Sequence, residues 1–173
     1  MAISARRSWD TSWNHRAREE AANLNPAFCG ELLSRSVGEY RRVREYPMPF
    51  PLAFLILPIS LHPKTRSILP GNASASFATW VVDRQAFLTE IPERIIQLMP
   101  ITREAILFSA QHNLIAFDQG SLTYGAKRLG ARTRPPISTD EADEIRRTAA
   151  LLGRWFASQG SASSILHGFG VTP

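Results

Sequence analysis

"MPFPLAFLILP" (Met48–Pro58), the start of a longer run to Pro70, decides how the fold is read. From Met48 to His62 there is no formal charge, and Pro49, Pro51 and Pro58 interrupt the apolar residues. A membrane-spanning helix needs about 20 apolar residues, and this window is shorter. Each internal proline also removes a backbone donor. With Pro51 at the first position of a helix, where its missing N–H costs little, Leu52 to Leu57 forms one or two turns that are apolar on every face. Such a helix is buried on every face. The segment therefore belongs at the centre of the fold or beneath another chain. Its candidate packing residues are Phe50, Leu52, Phe54, Leu55 and Leu57, and no membrane contact is expected.

On the N-terminal side, Trp9, Trp13, Ala17, Ala21 and Leu24 recur every three or four residues, as one face of an amphipathic helix does. Asn25-Pro26 reads as the cap and first residue of a second helix. Its apolar stripe is Cys29, Leu32 or Leu33, Val37 and Tyr40, and Arg41, Arg42 and Arg44 load the end where positive charge suits the helix dipole. On the C-terminal side, His62 to Leu69 suggests a turn into a short helix, Pro70-Gly71-Asn72 breaks the chain, and Ser76 to Val82 adds a helical turn or two.

Further along, Ile91, Ile95, Ile96 and Leu98 mark an apolar helix face, Met99 to Thr102 a short break, and Arg103 to His112 a second helix capped by Thr102. Leu114 to Phe117 and Leu122 to Gly125 read as strands joined by the turn residues Asp118 to Ser121. Helix, tight turn, helix and hairpin is the order of a winged helix-turn-helix; a generic helix pair with a hairpin has the same pattern. Ser138-Thr139-Asp140-Glu141 is a capping box. It opens a long helix over Thr139 to Gln159, with a seam of Ala142, Ile145, Ala149, Leu152 and Phe156 and with Trp155 at its edge. The tail after Gly160 adds at most one turn. The expected fold is mainly α: one domain over 1–173, with N-terminal helices and the apolar segment in 1–82, a candidate winged helix-turn-helix with a small β-hairpin wing in 83–126, a basic linker in 127–137, and a C-terminal helix and tail in 138–173.

A chain of 173 residues is long enough to bury a sizeable core. Its net charge of +5 points to acidic partners without fixing their kind. The single cysteine, Cys29, excludes an internal disulfide and a multi-cysteine metal site, and its apolar neighbours read as core. The N-terminus has no apolar stretch after Arg6 and Arg7, so no signal peptide is read there and a cytoplasmic protein is expected. There is no phosphate loop, nucleophile elbow or histidine pair at metal spacing. No enzyme activity and no cofactor are expected.

Lys127, Arg128, Arg132 and Arg134 follow the expected wing with no acid among them. Such a cluster suits DNA phosphates or an acidic protein surface. The helix beside it offers Arg103, Gln111, His112 and Asn113, but Ala105 to Phe108 is continuously apolar, which suits packing better than base reading.

"NPAF" (Asn25–Phe28), "MPFPLAFLILP" (Met48–Pro58) and "PITREAILF" (Pro100–Phe108) resemble the middle components of bacterial three-component ABC systems. The resemblance implies a non-enzymatic adaptor that couples an SMC-like ABC ATPase to an effector protein in defence against phages and plasmids, related to Lamassu-type systems. Contact with DNA would then be indirect or non-specific. The alternative is a stand-alone winged-helix transcription regulator that binds DNA itself.

Overall fold

The structure, a computed structural model, describes residues 24–129, 133 and 135–172. The expected first helix lies outside the described residues except for Leu24. Among the described residues the chain is mainly helical, with seven α-helices and a three-stranded antiparallel sheet.

Helix α1 spans Pro26–Arg44. The Asn25 side chain accepts the Phe28 N–H at 2.7 Å, which satisfies one of the unpaired donors of the first turn. Cys29, Leu32, Leu33, Val37 and Tyr40 are all buried. The helix ends at Glu45, whose φ of 61° and N–H to the Arg41 carbonyl close it in the left-handed region.

Strand β1 (Met48–Pro49), a 3-10 turn (Phe50–Leu52) and helix α2 (Ala53–Ser60) follow. Leu52, Leu55 and Leu57 are fully buried, and Phe50 and Phe54 pack against the core from partly exposed positions. Their rings meet edge to face at 5.3 Å. The opening segment thus runs through the middle of the fold. Pro58 is carried inside α2.

Helix α3 (Pro63–Ser67) starts at His62, whose ring nitrogen accepts the Thr65 N–H. Helix α4 (Phe77–Leu88), capped by the Ser76 hydroxyl, is longer than the expected turn or two.

The expected break at Met99 to Thr102 does not occur. A single helix, α5, runs from Ile91 to Gln111 with Pro100 inside it. A mid-helix proline removes the bond to the carbonyl four residues back, here that of Ile96. Ile96 is 63% exposed, so the freed carbonyl lies on the watered side of the helix, where a proline is tolerated. Thr102 does not cap a helix either; it is buried, and its hydroxyl donates to the Leu98 carbonyl at 3.0 Å. The helix-turn-helix expected within 91–112 is therefore one continuous helix.

Helix α5 ends in a Schellman motif. Asn113 has φ 59°, and the Asn113 and Leu114 N–H groups return to the Ala110 and Ser109 carbonyls. Strands β2 (Ile115–Asp118) and β3 (Ser121–Tyr124) form the expected hairpin. Gln119 and Gly120 both have positive φ, the requirement of a two-residue type I′ turn. The sequence did not indicate the third strand: β1 pairs with β3, Met48 opposite Leu122, which gives the order β1-β3-β2.

Helix α6 spans Asp140–Ser158, with the Thr139 hydroxyl accepting the Ala142 N–H. Ile145, Ala149, Leu152 and Phe156 of its seam are buried. Trp155 is not at the edge: it is 0% exposed, and its indole N–H donates to the Ala75 carbonyl at 2.8 Å. The tail adds helix α7 (Ala162–Gly168) and then buries Phe169. Trp155 meets Trp80 and Phe77 edge to face at 5.1 and 5.3 Å, and Phe169 lies 5.4 Å from Phe77. These rings join α4, α6 and the tail into one aromatic cluster.

The broadest contact in the fold is between α1 and α6. Gly153 of α6 sits against the Ser36 carbonyl of α1, and a Cβ there would overlap that oxygen. Glu31 pairs with Arg146, and eight residues on Glu39 pairs with Arg154, both across 115 positions of sequence, so the two helices run parallel. Arg44 donates to the Gln159 and Gly160 carbonyls at the far end.

Two substitutions test this packing. Gly153→Ala is expected to force the helices apart at a cost of about 1–3 kcal/mol, the usual range for overpacking, and to lower the melting temperature by several degrees. Leu55→Asp is expected to abolish soluble folding, because it places an unpaired carboxylate at a fully buried position. Thermal melts and soluble yield are the readouts. A soluble Leu55→Asp protein with an unchanged melt would contradict the placement of α2 at the centre.

Candidate partner-binding surfaces

Two surfaces carry side chains whose placement the core does not explain. The first is the outer face of α5. The helix buries Ile91, Ile95, Ile101, Ala105 and Ile106. Positions 96, 100, 103, 107 and 111 are separated by three or four residues and share the opposite face. There Ile96 and Leu107 are 63% and 59% exposed, flanking exposed Arg103. An apolar side chain left in water forgoes roughly 1.5–3 kcal/mol that burial would return. Two such residues on one helical stripe mark a face suited to cover by another chain. Of the base-reading types of side chain, this stripe holds only Arg103 and Gln111.

The second surface is a groove of about 740 Å³ between α1 and α6, closed on one side by the end of β3 and the segment after it. Glu39 stands in it, with Oε2 accepting from Arg42 at 2.7 Å and from Arg154 at 2.9 Å. Tyr124 donates its hydroxyl to the Gly38 carbonyl at 3.1 Å, and the Arg128 guanidinium lies 4.3 Å above the Tyr124 ring. At the other end of the same interface, Glu31 accepts from Arg35 at 2.7 Å and from Arg146 at 2.8 Å. Arg146 also reaches Asp143 and the Ser138 hydroxyl.

The basic cluster read from the sequence is thus placed only in part. Lys127 and Arg128 are exposed, and Arg128 joins the groove. Arg132 and Arg134 lie outside the described residues. Arg42, Arg147 and Arg154, which line the same groove, were not singled out as site residues. They come from helices more than 100 residues apart, so nothing local in the sequence joins them; their only signal is that they share the polar side of an amphipathic helix. Cys29 is buried. Among the described residues there is no group of three or more His, Cys, Asp or Glu placed to hold a metal ion, and no helix long and apolar enough to cross a membrane.

Burial raises the Glu39 carboxyl, but the hydrogen bonds and positive charge of Arg42 and Arg154 outweigh it and hold the group below its ordinary value. A carboxyl depressed in the folded state adds stability above its unfolded pKa and loses it as pH falls through the folded one. Glu39→Gln is therefore expected to cost about 1 kcal/mol at neutral pH, a modest figure because Arg42 is exposed. It should also flatten the loss of stability below the ordinary carboxylate range. Melts across a pH series check both, and an acid limb as steep as that of the unmodified protein would show that Glu39 is not held this way.

Residues 13–173 match the family model described as ABC-three component (ABC-3C) system Middle Component 3. No curated protein and no solved structure matches the chain.

Proposed function

The chain belongs to the Middle Component 3 family of ABC-three component systems, and on that premise we propose that it is a non-enzymatic adaptor. In this reading it joins an SMC-like ABC ATPase to an effector protein, in a cytoplasmic complex that defends a bacterium against phages and plasmids. The observation that carries the proposal is the outer face of α5. The order α1, β1, α2, α5 and the β2–β3 hairpin, with α3 and α4 inserted before α5, supports reading these elements, rather than residues 83–126 alone, as a winged helix. In that plan α5 stands where a DNA-reading helix would. A reading helix presents Arg, Lys, Asn or Gln to the base edges. Here exposed Ile96 and Leu107 share the outward stripe with Arg103 and Gln111, an apolar content that supports docking on protein over reading of DNA. The stand-alone regulator is thereby disfavoured.

The basic segment fits the same reading. Lys127 and Arg128 are exposed beside the end of the hairpin, and a positive field there attracts an acidic surface and speeds encounter with it.

The test is co-expression with the proposed ATPase and effector partners. An Ile96→Glu/Leu107→Glu variant is expected to keep its melting temperature, since both side chains are exposed, and to lose co-purification with the ATPase. A variant with Ala at Lys127, Arg128, Arg132 and Arg134 is expected to weaken association with the ATPase in a salt-dependent way. Duplex DNA binding is measured in parallel across a salt series, because phosphate contacts weaken steeply with salt. Intact association of both variants, with DNA affinity lost, would overturn the proposal in favour of a DNA-binding protein.

A further inference from the structure

The groove between α1 and α6 is built for a narrower class of ligand than a basic surface alone would take. Its volume of about 740 Å³ lies within the roughly 300–1,000 Å³ of concave binding sites. Its walls are two parallel helices, and Gly38, Ala150 and Leu151 give it an apolar lining. Arg42, Arg128, Arg147 and Arg154 stand around that lining. Arg42 and Arg154 share one carboxylate, Glu39. Arg128 is held on the Tyr124 ring rather than on an acid, and neither it nor Arg147 has an ion pair among the described residues. The guanidinium groups therefore exceed the carboxylates that they meet.

We infer that this groove docks an acidic, partly apolar peptide segment of a partner chain, with carboxylates on Arg128 and Arg147 and an apolar side chain over Leu151. The guanidinium fork matches a carboxylate with two parallel hydrogen bonds, and a peptide lying between two helices buries its apolar side chains as it does so. Charge separates this ligand from nucleic acid. A nucleic-acid backbone brings an unbroken row of negative charge, whereas Glu39, Asp143 and Glu144 interrupt the guanidiniums on these walls. A peptide places its carboxylates only where the guanidiniums stand. The inference rests on the adaptor reading for the source of the peptide, and the Ile96→Glu/Leu107→Glu variant, which leaves the groove untouched, separates failure of the one from failure of the other.

The experiment uses the full chain and a fluorescein-labelled synthetic peptide with Glu and Leu on opposite faces of a helical repeat. A counterpart has Gln in place of Glu, and a labelled single-stranded oligonucleotide of similar charge forms a third arm. Fluorescence anisotropy is expected to show binding of the Glu peptide alone, weakened about tenfold or more by Arg128→Glu/Arg147→Glu. An Arg128→Ala/Arg147→Ala variant, milder to the fold, is expected to weaken it in the same direction. Failure of the Glu peptide to bind, equal binding of the Gln peptide, affinity unchanged by either variant, or tighter binding of the oligonucleotide would overturn the inference.

Discussion

The close approach of α1 and α6 is the constraint on which the rest of the structure depends. It is set at Gly153, where any side chain would meet the Ser36 carbonyl. Two parallel helices in such contact leave little room for long side chains at the point of crossing. Charge is displaced to the flanks, where Glu31 and Glu39 of α1 each sit between an arginine of their own helix and one of α6. Exchange of Glu39 takes the carboxylate from both Arg42 and Arg154, whereas Arg146 keeps Asp143 when Glu31 is exchanged. The contact also brings Trp155 and Phe156 inward, and around them the aromatic cluster forms with Phe77, Trp80 and Phe169. Helix α2 then fills the space among α1, α5 and α6, which accounts for its being apolar all round.

That arrangement leaves α5 with one face inside and one outside. The inner face closes the core over α1 and α2. The outer face carries Ile96 and Leu107, and the bend-prone position Pro100 lies between them. Exposed side chains of this kind add little to the stability of the isolated chain. Its composition makes sense in a protein of a three-component family, where a helix can pack on its own core from one side and on another chain from the other.

What could be read from the sequence was what is local and periodic. The Asn25 cap, the α1 stripe, the seam of α6 and a hairpin turning within Asp118 to Ser121 each follow from neighbouring residues. The all-round apolar character of Leu52 to Leu57 called for burial, in the core or beneath another chain, and the structure puts it in the core. Elements that depend on distant partners were not legible. A two-residue strand such as β1 exists only because β3 lies beside it. Pro100 reads as a helix break unless Ile96, four residues back, is known to lie on the exposed side of the helix. Trp155 reads as peripheral until Trp80 and Phe77 are placed against it. The arginine groove joins residues of α1, α6 and the segment after β3, so only the fold assembles it.

The claim at the centre of this account is that the outer face of α5 is a protein-binding surface. Photo-cross-linking from a benzoylphenylalanine placed at Leu107, in a complex assembled with the proposed ATPase and effector, tests it most directly. The account predicts a cross-link to one of those two proteins, located by mass spectrometry to a single patch. Cross-links to DNA, or none from a complex that has assembled, would contradict it.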